Sequence, residues 1–128
     1  MLLKQKFIRR EDLKANPETL YIFGDNERRR GYGGQAAEMR GEPNAVGVRV
    51  KRKPARQSPD DFWNDESFEQ NCRMIDEDLA RVHAHLSTGG DVVVPEDGLG
   101  TGLAELGTRA PRTFVYLQEQ LLRLETFV

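Results

Sequence analysis

The sequence predicts an α/β fold: a mainly parallel or mixed sheet with helices packed on it, built as a single domain of residues 1–128. Strand-like apolar runs alternate with helical segments along the chain, a pattern typical of strand–helix–strand units. Residues 20–23 and residues 91–95 are almost continuously apolar, as expected of strands buried on both faces. Each run enters a glycine-rich loop. In open α/β sheets ligands bind at the carboxyl ends of the strands, so we expect the two loops to lie side by side there.

The other elements of the first half follow in chain order. Residues 2–8 can form a first strand, and residues 10–13 suit a helical turn that ends near Pro17. Residues 35–40 contain helix formers and predict a short helix, whereas the β-rich residues 45–50 predict a third strand.

The second half is predicted to be mainly helical. Ser58 followed by Pro59 is typical of a helix start. A long helix is predicted from residue 65 to residue 86, because apolar residues recur at spacings of three and four and share one face. That face consists of Phe68, Cys72, Ile75, Leu79, Val82 and Leu86. Thr108 can cap a last helix, whose core stripe is Phe114, Leu117, Leu121 and Leu124.

Composition narrows the class of protein. Of the 128 residues, 38% are hydrophobic and 31% are charged, which is typical of a globular domain with a solvated surface. No apolar run approaches the roughly 20 residues that cross a bilayer, and the start of the chain turns polar too early for a signal peptide. We expect no membrane association. The single cysteine cannot form an internal disulfide, which favours the cytoplasm.

Charge is distributed unevenly along the chain. Residues 1–57 carry 14 basic and 7 acidic residues, a balance of +7, whereas residues 58–128 carry 5 and 14, a balance of −9. The basic half could attract phosphates or nucleic acid, or the two halves could neutralise each other in the fold. Few aromatic residues interleave with the basic ones, so a surface that stacks single-stranded nucleic acid is disfavoured.

The first glycine-rich loop has the properties of a phosphate site. Its candidate binding residues are Gly24, Gly31, Gly33, Gly34 and Gln35. Glycine lets backbone amides approach a ligand, and the following helix start would add free N–H groups. The segment matches neither the Walker pattern nor the dinucleotide fingerprint, and the alternative is a simple turn between strand and helix.

The second loop repeats this design. Its candidate ligand-binding residues are Gly98, Gly100, Thr101 and Gly102. The Thr101 hydroxyl could bind a phosphate oxygen. Asp97 would repel a phosphate, so in the pocket it would hold ribose hydroxyls, a metal or a water, which makes it a candidate catalytic residue.

Polar residues at the strand ends are further candidates. Asp25 and Asn26 could bind a ribose or base edge or orient an attacking water, or they could cap the loop through their own backbone. Lys51 and Lys53 could reach phosphates or be merely solvated. Residues 28–30 are three arginines that form a solvated charge run, of which one could face a ligand.

We expect neither a metal nor a cofactor. His83 and His85 lie two apart on a predicted helix and point in different directions. Cys72 has no base partner in the pattern and suits a core position. No Ser-His-Asp or Cys-His constellation is visible.

The two loops together resemble the macro-domain superfamily, in a compact form often met in phage and bacterial proteins. Residues 23–36 are similar to that family's strand, asparagine-containing loop and glycine-rich turn into a helix. Residues 95–103 are similar to its second, diphosphate-binding loop, and the resemblance covers roughly residues 20–50 and 90–120.

The resemblance implies a ligand and an activity. Members bind ADP-ribose and related molecules, and some hydrolyse ADP-ribosyl bonds or remove a phosphate from ADP-ribose. It implies that Asp25 and Asn26 serve the base or distal ribose, and that the diphosphate is held by Gly33, Gly34, Gly98, Gly100 and Thr101. Three hypotheses remain: a hydrolase, a non-catalytic module that binds or sequesters a nucleotide, and a nucleic-acid-binding protein. The sequence does not indicate an oligomeric state.

Overall fold

The computed structural model describes residues 1–126 and confirms the α/β class. Its sheet has four strands, all parallel, in the spatial order β1-β4-β2-β3. The strands are β1 (Leu2–Gln5), β2 (Leu20–Asn26), β3 (Ala45–Lys51) and β4 (Val92–Pro95). The apolar runs therefore become the two central strands, where both faces are covered by helices.

Five α-helices connect and cover the strands. They are α1 (Arg10–Ala15), α2 (Ala36–Met39), α3 (Phe68–Ser87), α4 (Leu106–Arg109) and α5 (Pro111–Glu125). Two short 3-10 turns, Pro59–Asp61 and Asp65–Ser67, precede α3. None of the helices within residues 1–126 is long and apolar enough to cross a membrane.

The sheet separates two hydrophobic clusters, because side chains alternate along each strand. On the α3 face, Leu20 and Ile22 of β2 pack in one cluster with residues of α3, α4 and α5. On the α2 face, Tyr21 and Phe23 pack in the other with residues of α1 and α2.

Several predicted boundaries differ from the structure. The strand predicted over residues 20–23 continues to Asn26, so Asp25 and Asn26 lie within β2 rather than after it. The first strand ends at Gln5, because Phe7 adopts a left-handed backbone conformation with a φ of 55°. The long helix begins at Phe68, since Asn64 caps a separate 3-10 turn before it. Thr108 caps no helix, because it lies inside α4. The start of α5 is bound instead by Asp65, whose carboxylate accepts hydrogen bonds from the backbone N–H groups of residues 112 and 113 at 2.8 and 3.0 Å.

The chain reverses its winding direction between β2 and β4. After β2 it continues into α2, on one face of the sheet, whereas after β4 it continues into α4 and α5, on the other face. Neighbouring parallel strands whose connections leave to opposite faces open a crevice at their carboxyl ends. Both glycine-rich loops begin at this crevice.

Candidate functional site

A cavity of about 390 Å³ lies at the carboxyl ends of β2, β3 and β4, between the two glycine-rich loops. All but one of the predicted site residues line it. They are Gly24, Asp25, Asn26, Gly31, Gly33, Gly34, Gln35, Lys51, Asp97, Gly98, Gly100, Thr101 and Gly102. The exception is Lys53, which does not line the cavity and whose backbone N–H donates to the Asp61 carbonyl at 3.0 Å. Lys53 thus lies beside the Asp61 turn, and a role for it as a ligand contact stays a prediction.

The two glycine-rich loops lie against each other at the cavity. A Cβ on Gly33 would lie 2.6 Å from Cδ1 of Leu103, and a Cβ on Gly24 would lie 3.7 Å from the backbone nitrogen of Gly100. Gly100 itself has a φ of +75°, which L side chains rarely adopt. The two loops thus lie side by side around one cavity, as predicted, and Gly33 leaves room for the Leu103 side chain.

Two runs of residues that line this cavity have backbone N–H groups without an acceptor. Within the described residues 1–126, the N–H groups of residues 30–35 and 99–104 make no hydrogen bond. Because these residues line the cavity, their N–H groups are available to an acceptor on a ligand. Runs of such groups form concavities that bind anions, because several N–H groups can converge on the oxygens of one anion.

The start of α2 contributes less to anion binding than expected. α2 has only four residues, and the N–H groups of Ala36 and Ala37 donate back to the carbonyls of Gly33 and Gly34. The dipole of one turn is small, so the loop amides provide most of the anion-binding potential.

Asp25 lines the cavity, but its carboxylate is held by two arginines. Arg40 donates to its Oδ1 at 2.5 Å and its Oδ2 at 3.2 Å, and Arg29 donates to Oδ2 at 3.2 Å. The backbone N–H of Asn26 donates to Oδ1 at 2.8 Å, and the Asp25 side chain is 2% exposed. With both oxygens bonded, this carboxylate is poorly placed to orient an attacking water.

Asn26 bonds to its own loop, as the capping alternative predicts. Its Oδ1 accepts from the backbone N–H of Arg28 at 3.0 Å, and its Nδ2 donates to the carbonyl of Arg30 at 2.7 Å. A catalytic role for Asp25 and Asn26 stays a prediction, but their contacts are those of residues that shape the loop.

Cationic side chains line the cavity beside the amide groups. Lys51 is buried, its Nζ donates to the carbonyl of Ala55 at 2.5 Å, and it lies 4.7 Å from the ring centroid of Phe62. Burial lowers the pKa of this ammonium. Arg30 lines the cavity with a guanidinium that makes no hydrogen bond or ion pair within residues 1–126. Arg30 is thus the member of the arginine run that lines the cavity, whereas Arg29 binds the carboxylates beneath it.

The rim carries groups of different chemistry. Asp97 is exposed, and within residues 1–126 its carboxylate has no hydrogen bond or ion pair. The Thr101 hydroxyl donates to the Asp97 carbonyl at 3.1 Å, which leaves its oxygen as an acceptor. Tyr32 is 69% exposed, and the buried Oε1 of Gln35 has no partner.

The uneven charge of the sequence is partly paired within the fold. Arg29 and Arg49, from the basic half, both bind Asp78 of α3, at 2.6 and 3.0 Å. Lys4 pairs with Glu125 at 2.9 Å. These contacts support the interpretation that the two halves neutralise each other.

The other chemically reactive side chains lie elsewhere. Cys72 is half-buried on α3, and burial raises the pKa of its thiol. His85 lines a separate cavity with Pro17 and Pro43, near the amino ends of the strands. Within residues 1–126 no three His, Cys, Asp or Glu side chains are grouped as metal ligands.

Sequence reasoning missed Arg40, which it treated only as the end of a helix. Arg40 also lines the cavity and contacts both Asp25 and the first loop. A single arginine after a short helix carries no local signal of such a contact.

Comparison with known proteins places the chain in a family. A family model described as a family of unknown function, DUF7831, matches residues 3–120. No curated protein and no solved structure matches the chain. Because the match spans nearly the whole chain, the protein belongs to the family of unknown function DUF7831.

Proposed function

We propose that the protein binds a phosphate-bearing nucleotide derivative of the ADP-ribose type in the cavity between the two loops. The observation that carries this proposal is the pair of unbonded amide runs, residues 30–35 and residues 99–104, on opposite loops of one cavity. A diphosphate presents acceptor oxygens on two linked phosphorus atoms, so it can accept from both runs together.

The charge and size of the cavity agree with such a ligand. Arg30 and Lys51 supply positive charge, while the carboxylate of Asp25 is neutralised by its arginine partners. The volume of about 390 Å³ lies within the range of about 300–1,000 Å³ that is typical of small-molecule sites.

Two side chains that line the cavity suit the nucleoside part of the ligand. The exposed ring of Tyr32 offers a surface for stacking a base. The unpartnered Oε1 of Gln35 could accept a hydrogen bond from an amino or hydroxyl group. Together with the macro-domain resemblance of both loops, these groups favour ADP-ribose over a simple phosphate.

Hydrolysis of an ADP-ribosyl or phosphate bond is the second candidate function, and Asp97 is the observation that favours it. Its carboxylate lines the cavity and has no partner within residues 1–126, so it can accept a proton from a water. Asp25 lacks this freedom. Binding without chemistry is the alternative, in which the protein holds the nucleotide and breaks no bond.

Calorimetry and thermal unfolding with ADP-ribose, NAD and AMP test the binding proposal, with adenosine as the phosphate-free control. A ligand at 100 times its dissociation constant adds about 2.7 kcal/mol to the free energy of unfolding, which raises Tm measurably. We expect heat and a Tm shift with ADP-ribose and neither with adenosine. The absence of both for all the phosphate-bearing compounds would refute the proposal.

Product formation tests the second function. ADP-ribosylated protein and ADP-ribose 1″-phosphate are incubated with the wild type and with Asp97→Asn. Turnover that the variant loses would support hydrolysis, and binding without turnover would leave the non-catalytic module. Tight DNA or RNA binding that persists at about 0.2 M salt would instead favour the nucleic-acid hypothesis, since backbone binding is strongly salt-dependent.

A further inference from the structure

We propose that Arg40 is a positioning residue, which fixes the shape of the first glycine-rich loop so that its N–H groups point away from the buried charges. This inference rests on the proposed function, since ligand binding is what the shape of the loop would serve. Arg40 follows α2 and lies next to the loop in space, although nine residues separate it from Gly31.

Arg40 joins the loop to β2. Its Nε donates to the carbonyl of Gly31 at 2.7 Å, and its Nη2 donates to the carbonyl of Arg30 at 3.2 Å. The same guanidinium binds both oxygens of Asp25. Four of its five N–H donors are engaged in this way, so little capacity remains for a ligand. Arg40 therefore acts through the loop rather than as a direct ligand of an anion.

Peptide geometry links these carbonyls to the cavity. In a trans peptide the C=O of one residue and the N–H of the next point in opposite directions. No peptide bond in the described chain is cis. When Arg40 holds the carbonyls of Arg30 and Gly31, the N–H groups of Gly31 and Tyr32 must point away from Arg40. These two N–H groups belong to the unbonded run that lines the cavity.

Asp25 provides a fixed anchor for Arg40, because it is held from its other side. Arg29 bridges Asp25 and Asp78 of α3, with distances of 3.2 and 2.6 Å, and also donates to the carbonyl of Gly47. A Cβ on Gly47 would lie 2.5 Å from Oδ2 of Asp25, so only glycine fits there without displacing the carboxylate. Arg29 adopts a φ of 56°, a strained conformation that persists only where its surroundings hold it.

The test compares Arg40→Lys with Arg28→Lys, an arginine of the same loop whose side chain makes no hydrogen bond or ion pair within residues 1–126 and does not line the cavity. Lysine keeps the charge but is a single point donor that cannot span both carbonyls and the carboxylate. Heteronuclear NOE measurements on residues 30–35 of the free proteins report the order of the loop, and calorimetry reports the dissociation constant for ADP-ribose.

We expect Arg40→Lys to lower the NOE values of the loop and to weaken ADP-ribose binding roughly 10-fold or more, while Arg28→Lys changes neither. Gly47→Ala, which adds a methyl group against Asp25 at a position that does not itself line the cavity, should reproduce the loss of loop order. If Arg40→Lys does not fold, the NOE values of Gly47→Ala test whether the contact between Arg40 and Asp25 orders the loop.

Two results would overturn the inference: a loop as ordered in Arg40→Lys as in the wild type, or a disordered loop with unchanged affinity. If the wild type binds no ADP-ribose, the proposed function fails, and the NOE comparison still decides whether Arg40 orders the loop.

Discussion

Gly100 is the position in the second loop where a single methyl group should have the largest effect. Its φ is +75°, and a Cβ there would lie 3.0 Å from both Cβ and Cδ2 of Leu106. Leu106 is 1% exposed, and its backbone N–H donates to the Gly100 carbonyl at 2.9 Å. Leu106 therefore cannot move away without disturbing the core and a hydrogen bond of the loop.

Two effects add up in Gly100→Ala. A left-handed backbone conformation costs an L residue about 1–2 kcal/mol. Forcing a methyl group against a packed side chain costs about 1–3 kcal/mol more. We therefore expect the free energy of unfolding to fall by roughly 2–5 kcal/mol, within the total of about 5–15 kcal/mol typical of a domain. The variant should still fold, with a displaced loop and weaker binding of ADP-ribose.

Gly102→Ala is the matched control for stability. Gly102 belongs to the same loop and lines the same cavity, but its φ is not positive and a Cβ there meets nothing within 4 Å. We expect its stability to stay close to that of the wild type or to rise by about 0.4–1 kcal/mol. Urea unfolding followed by the fluorescence of Trp63, the single tryptophan, measures both variants. Equal unfolding midpoints would show that neither the positive φ nor the contact with Leu106 constrains the loop.

Three further predictions follow from individual side chains. Asp97→Asn should tighten ADP-ribose binding by up to about 5-fold in calorimetry, because it removes an exposed negative charge that repels the phosphates of the ligand. An unchanged affinity would show that Asp97 does not approach the phosphates. Lys51→Met keeps the buried stem but removes the ammonium, and should weaken pyrophosphate binding by roughly 10-fold; equal affinity would exclude Lys51 as a ligand contact. Burial, together with a hydrogen bond to Asp76, raises the pKa of Tyr116 from 10.0 to about 12. As the pH rises from 10.0 to about 12, the free energy of unfolding of the wild type should therefore fall towards that of Tyr116→Phe. Parallel stability curves across that interval, in alkaline urea titrations, would contradict this assignment.

The meeting of the two loops could be predicted from the sequence because it depends only on chain order and local pattern. The apolar runs at residues 20–23 and 91–95 identify buried strands, and parallel strands present their carboxyl ends at one edge. The glycines then mark where backbone is exposed. No long-range information is needed for these steps, and the cavity lining agrees with them at every position except Lys53.

The contacts beneath the loop could not be predicted in this way. Arg29 meets Asp78 across 49 residues of sequence, and that meeting depends on how α3 packs on β3. The same packing allows Arg49 to bind Asp78. In the sequence, Arg29 is indistinguishable from its neighbours in a run of three arginines, so local pattern favours a solvated residue. The cap of α5 by Asp65 was missed for the same reason.

The buried charges are better explained by the shape of the site than by stability. Removing carboxylates and guanidinium groups from water costs free energy that their mutual attraction often fails to recover, so a buried ion pair is weak evidence for stability. Asp25 and Asp78 are buried, and their arginine partners also bind the carbonyls of Gly31 and Gly47. Apolar side chains could fill the same space, but they could not bind those carbonyls and so set the direction of the adjoining N–H groups. The arrangement therefore makes sense where the direction of backbone N–H groups matters, which is at an anion-binding loop.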